Sequence, residues 1–211
     1  NLISSWHRFF GLPDGNRDAY PTDALHYQLS QPAHDRHLLR SASGLGDIQV
    51  AVSRPLLAID GGQLGISAGV KTASGQSSDW LGSGATDVYA LLRFSGQQLG
   101  GWPLWWHGQV GGTRAGDSDL LGPQQRRALW FAGLAGEWRF SPRWSVLVQY
   151  DGHSALLDGA LEALSEPAGM LSMAVRWRPT SHWMIDAGFS EDVVVESAPD
   201  ITFLLNARYV P

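Results

Sequence analysis

Residues 128–154 read ALWFAGLAGEWRF, SPR, WSVLVQYDGHS, and their character alternates with a period of two. In the first arm Trp130, Ala132, Leu134, Gly136, Trp138 and Phe140 share one face, and Leu129, Phe131, Gly133, Ala135, Glu137 and Arg139 share the other. In the second arm Trp144, Val146, Val148 and Tyr150 oppose Ser145, Gln149, Asp151 and His153. Only a strand sends successive side chains to opposite faces, so the pattern predicts two strands joined by a tight turn. Trp138, Phe140 and Trp144 gather at the turn end. Long alternating strands with aromatics at one end point to a transmembrane β-barrel, in which one face meets lipid and the other lines a lumen.

The same alternation returns along the chain. It appears at residues 24–30, 47–54, 64–72, 87–95, 104–113, 170–178, 183–190 and 200–210, and more weakly at 37–42. With the hairpin this makes about eleven or twelve strands. The connections alternate in length. Residues 55–63, 97–102, 141–143 and 179–182 are short links, whereas 73–85, 114–127, 156–168 and 191–199 are long ones, with a helical turn expected at ALEALSE. An outer-membrane barrel sorts its connections in this way, with periplasmic turns short and extracellular loops long. Residues 1–23 do not alternate. Trp6, Phe9, Phe10 and Leu12 fall at helical spacing before a break at Pro13-Asp14-Gly15-Asn16. The expected organisation is therefore an extracellular capping segment with a short amphipathic helix at 1–23 and a barrel at 24–211. Bacterial single-chain barrels close with an even number of strands. With no signal peptide in view, Asn1 is not expected to be the start of the gene product, and an odd count carries the expectation either that at least one N-terminal strand lies outside this sequence or that 37–42 is not a strand.

Composition narrows the remaining classes. There is no Cys, which removes disulfide frameworks, thiol catalysis and Cys-based zinc sites. The formal net charge of −5 is spread without a block of one sign, so no nucleic-acid surface is expected. Ten Trp residues suit an interfacial aromatic belt. The mean hydropathy of −0.13 is too low for a helical membrane protein but fits a barrel, half of whose strand residues face water.

Three stretches carry a family resemblance: WHRFFGLPDGNRDAYP at 6–21, YDGHSALL at 150–157 and FSEDVVVESAPDITF at 189–203. They resemble an uncharacterised family, a domain of unknown function, of proteobacterial outer-membrane β-barrels. GLGDIQVAV at 44–52 and GISAGVKTASGQSSDWLGSGATDVYALL at 65–92 are distantly similar to barrels encoded with aromatic-degradation pathways and to long-chain fatty-acid transporters. The resemblance spans most of the chain and implies an outer-membrane location in a Gram-negative bacterium. Family members look longer at the N-terminus, which implies a parent barrel of about fourteen strands. It brings no established activity and no catalytic residues.

Alternation assigns the candidate residues. The lumen-lining set is Gln49, Lys71, Asp87, Arg93, His107, Gln109, Glu137, Arg139, Gln149, Arg176, Arg178, Asp186, Asn206 and Arg208. Charge facing hydrocarbon is costly, so these are expected to face a lumen, either as a selective conduit or as a packed ion-pair network, for example Glu137 or Asp186 with Arg176. The aromatic girdle is Trp102, Trp106, Trp138, Phe140, Trp144, Trp177, Trp183 and Tyr209. His153, Ser154 and Asp151 hold the ingredients of a lipid hydrolase. His153 and Ser154 are adjacent, however, and on a strand they would point to opposite faces. Glu191, Asp192, Glu196 and Asp200 match no cation-loop spacing, so no metal is expected, and the Gly-rich stretch 75–84 lacks a phosphate-loop Lys, so no cofactor is expected.

The functional expectation is a passive channel or transporter for small molecules, hydrophobic ones among them. Loops carrying Trp6 and Trp80 would collect the solute. The expected partners are outer-membrane lipid, lipopolysaccharide and such a solute. The alternatives are a lipid-modifying hydrolase using His153 and Ser154, and a structural or assembly component with a plugged lumen.

Overall fold

The computed structural model describes residues 25–31, 34–59, 61–159, 162–194 and 201–211. The expected N-terminal helix, with Trp6 and Phe10, lies outside them, as do Glu196 and Asp200. The chain divides between Ser43 and Gly44 into two compact units. In the first, β1 (Tyr27–Gln31) and β2 (His34–Leu38) form a two-stranded antiparallel sheet. Ser30 Oγ donates to Asp35 Oδ1 at 2.7 Å across this pair.

The second unit is one nine-stranded sheet in sequence order. It comprises β3 (Gln49–Ile59), β4 (Gly62–Lys71), β5 (Asp87–Gln97), β6 (Leu104–Arg114), β7 (Ala128–Trp138), β8 (Trp144–His153), β9 (Ala168–Trp177), β10 (Trp183–Val194) and β11 (Thr202–Tyr209). Every pairing is antiparallel, so the fold is an all-β up-and-down meander. β3 and β11, its first and last strands, run the same way. Up-and-down closure would pair them antiparallel, and among the described residues no ladder joins them.

Three boundaries differ from the sequence expectation. The weak strand expected at 37–42 runs instead from His34 to Leu38. Residues 55–63 are not a link, because β3 continues through Pro55 to Ile59 and β4 begins at Gly62. Pro55 lies on β3, an edge of the described sheet, beside a register shift between Pro55 and Leu57, and edges and bulges are where strands tolerate proline. Likewise Glu191–Val194 belong to β10, not to a loop, and a second shift falls between Asp192 and Val194. The helical turn expected after β8 is present as α1 (Glu162–Ser165).

Among the described residues buried apolar groups are few and lie mostly at the long-loop end: Ala85, Ala115, Ala155 and Leu157, with Ala168 at the start of β9 and Leu91 within β5. By contrast Val52, Leu134, Phe203 and Leu205 are all more than half exposed, on the face opposite the charges. Aromatic rings cover glycines of neighbouring strands on that face. Gly96 stands directly opposite Trp106, and a Cβ on Gly96 would lie 2.5 Å from the indole ring. A side chain there must push the ring off the sheet. Gly96→Val is therefore expected to cost about 1–3 kcal/mol, read as a lowered urea midpoint by far-ultraviolet circular dichroism. An unchanged midpoint would remove this ring from the packing account.

Candidate functional site

Cross-strand partners share a face, so the register follows one face across the whole sheet. Gln49 stands opposite Lys71, and Lys71 opposite Asp87. Arg93 faces Gln109, Gln109 faces Gly133, and Gly133 faces Asp151. His107 faces Ala135, and Ala135 faces Gln149. Arg176 faces Asp186, and Asp186 faces Asn206, with Arg208 two residues further along β11. Glu137 falls in the same set, and Arg139 and Arg178 continue it just beyond their strands. All fourteen residues expected to line a lumen therefore belong to one polar face. The opposite face carries Trp106, Trp138, Trp144, Trp177, Trp183 and Tyr209 at the short-turn end, with Phe140 and Trp102 in the adjoining turns. Trp144 stacks on Trp177 at 5.8 Å between centroids, and Trp183 lies 5.3 Å from Tyr209.

A charge network occupies the short-turn end of the polar face. Arg176 grips Asp186 with two parallel bonds, Nε to Oδ1 at 2.6 Å and Nη2 to Oδ2 at 2.9 Å. Its Nη1 donates to Glu137 Oε2 at 2.9 Å. Glu137 Oε1 also accepts from Arg178 Nη2 at 2.5 Å, Arg139 Nε at 3.0 Å and Ser145 Oγ at 2.8 Å. Arg176 and Glu137 sit on β9 and β7 and meet across β8 over Ser145, which stands opposite Arg176 and donates to Glu137, while Leu147 stands opposite Glu137. A larger side chain in place of Ser145 would separate them. Ser145 is fully buried. Arg139 also lies over the Trp105 ring at 3.8 Å, a cation–π contact. Paired in this way the charges satisfy one another, the arrangement that half-buried ions require.

The long-loop end is held differently. Asp47, just before β3, accepts from the Gly75 and Ser83 backbone N–H groups, each at 2.9 Å, and from Lys71 Nζ at 2.9 Å. Lys71 also pairs with Asp87 at 3.0 Å and donates to Ser83 Oγ. Ser118 Oγ then donates to the Ser83 carbonyl at 2.7 Å, linking the loop after β4 to the loop after β6. Arg126 Nε reaches Asp158 Oδ1 at 2.6 Å, and Gln125 bridges Leu157, linking that loop to the one after β8. The Ser83 N–H, with Lys71 and the Gly75 N–H beside it, holds the Asp47 carboxyl well below the ordinary carboxylate range, against the opposing effect of burial.

Between these two ends the polar face is concave. A cavity of about 520 Å³ opens there against strands β3 to β8. Ser53, Ser67, Gln63, Ser95, His107, Gln109 and Gln149 face it, together with Arg93 and Asp151. Glycines on the polar face make the room: Gly65 lies beside Arg93, and Gly133 beside Asp151.

The hydrolase ingredients are not assembled. His153 closes β8 and its Nδ1 contacts the Ser154 backbone oxygen at 2.9 Å. Ser154 Oγ accepts from the Trp130 N–H at 3.1 Å, and Asp151 accepts from the Gln149 amide at 2.5 Å. These bonds leave His153 and the Ser154 hydroxyl uncoupled. Sequence reasoning missed three contributors: Ser145 beneath the charge network, Trp105 beneath Arg139, and Asp47 as the loop clasp. Parity placed Ser145 on the polar face, but its burial depends on Arg176 and Arg178 folding over it.

A folded-state pKa below the unfolded one makes Asp47 stabilising above the ordinary aspartate value of about 3.9, and that contribution fades as the pH falls below it. Asp47→Asn is expected to lower the urea midpoint at neutral pH, with the gap from wild type shrinking towards pH 2. A gap of equal size at both pH values would exclude a charge-based clasp.

No curated protein is significantly similar to this chain. The model of one family matches residues 1–210, a span that includes the alternating strands, both charge clusters and the cavity. The chain belongs to that family, which is described as a protein of unknown function, DUF3187.

Proposed function

We propose that this chain is part of a bacterial outer-membrane β-barrel that acts as a passive channel for small solutes. The observation that carries this reading is the sorting of the sheet's faces, which among the strand charges only Arg54, Arg114 and Glu191 break by falling on the apolar side. One face holds ion pairs and amides, and the other holds exposed Val, Leu, Met and Phe with rings at the short-turn end. A soluble domain does not leave an apolar surface of that extent in water. β3 to β10 are each 10 to 12 residues long, a length suited to tilted membrane-crossing strands. Short turns at one end and knotted long loops at the other fit the sidedness of outer-membrane barrels. The cavity on the polar face then forms part of the lumen wall.

The charge network around Glu137 favours a second reading, a structural component whose lumen is plugged by ion pairs. Conductance separates the two. The full-length protein in planar lipid bilayers is expected to give stepwise ionic currents under the channel reading. A reconstituted, folded protein with no current would favour the plug.

Membrane placement has its own test. Leu134, at the centre of β7, would meet the bilayer midplane, whereas Gln149 would meet the lumen. Leu134→Arg is expected to cost about 2–4 kcal/mol in lipid, and Gln149→Lys far less, both read from urea unfolding in liposomes. Equal losses would contradict the assignment of faces.

A further inference from the structure

The charges that face the cavity differ from those at its two ends. At the ends, opposite charges close on each other: Arg176 with Asp186 and Glu137, and Lys71 with Asp47 and Asp87. The Arg93 guanidinium, by contrast, has no hydrogen bond or ion pair among the described residues. Asp151 has no cation partner among them either. Its carboxylate is bonded to the Gln149 amide and leans over Gly133, where a Cβ would lie 2.6 Å from Oδ1 and 3.6 Å from Gln109 Cγ.

Arg93 and Asp151 also lie in one row of the ladder, Arg93–Gln109–Gly133–Asp151. Three strand spacings separate their backbones, about 14 Å along the sheet. That is too far for a direct ion pair; Gln109 and a bare glycine lie between them, and Asp151 leans over the glycine. The row thus presents one unmatched positive group and one unmatched negative group on opposite sides of a single cavity. An anion alone would be drawn to Arg93 and opposed by Asp151. A cation alone would meet the reverse. A molecule carrying both charges satisfies both sides, with Gln109 and Gln149 supplying amide hydrogen bonds between them.

We infer that this cavity is a binding site for small zwitterionic solutes of the amino-acid type, the carboxylate held by Arg93 and the ammonium by Asp151. The inference deepens the channel reading and rests on it only in treating the polar face as a lumen wall.

The test is equilibrium binding to the full-length protein in detergent or lipid, with alanine as the zwitterion, acetate and methylammonium as single-charge probes, and glycerol as the neutral one. Alanine is expected to bind at least about tenfold more tightly than any other probe, the step expected for one added charge-assisted contact. Arg93→Gln and Asp151→Asn are each expected to remove that preference. Arg93→Lys, which keeps the charge, should retain part of it. Circular dichroism checks that each variant keeps its strand content. Equal binding of alanine and glycerol, or a preference that survives both neutralising variants, overturns the inference. Binding of alanine without ionic current would leave the site standing and remove the channel. Current without alanine binding would do the opposite.

Discussion

Eight antiparallel ladders join the nine strands of the main sheet, and parity carries from β3 through to β11. Everything else depends on this. The side-chain period of a strand is two, so a slip of one residue in any ladder would send every charge beyond it to the apolar side. Slippage is opposed from both faces. On one, Arg176 must meet Asp186, and Lys71 must meet Asp87. On the other, Trp106 must cover Gly96, and Trp144 must stack on Trp177. The two register shifts, at Pro55–Leu57 and Asp192–Val194, fall near opposite ends of the sheet. The middle rows, which form the cavity, run without a shift from Arg93 to Asp151.

Within the polar face, side-chain size controls what the charges do. Ser145 is short enough for Glu137 and Arg176 to meet over β8, and Gly133 is bare enough for Asp151 to lean towards Gln109. At the short-turn end the long side chains have nowhere to go but onto one another, and the result is a closed network. In the centre, glycine and serine open space, and Arg93 and Asp151 stand too far apart to pair. The networks around Glu137 and Lys71 are closed, whereas Arg93 and Asp151 in the centre are left apart. At the long-loop end, Asp47 gathers two backbone N–H groups and a lysine, so the loop after β4 is folded down and fastened to its neighbours.

Most of the fold could be read from the residues in order. Trp130 to Trp138 and Trp144 to Tyr150 already showed which side chains share a face, and the register keeps each on its expected side. Where the reading failed, a residue with two meanings was responsible. Pro55 reads as a strand breaker, yet it sits on an edge strand beside a bulge. Glu191 and Asp192 read as loop residues, yet they extend β10 past its apolar stretch. The candidate site was only half legible. Glu137, Arg176 and Asp186 were expected to pair. The parts played by Ser145, Trp105 and Asp47 were not anticipated, since alternation gives a residue its face but not the partners that close over it.

The sequence by itself determined the strands, their two faces, the alternation of short and long connections, and the ring-bearing end. These follow from relations between residues one or two apart, which the order of the chain displays directly. Only the tertiary structure decided which charges meet, which stay unmatched, and where the cavity lies. Those outcomes depend on registers between strands and on the room a serine or glycine leaves on an intervening strand. Glu137 finds Arg176 thirty-nine residues away, and Arg93 and Asp151 share a row without touching.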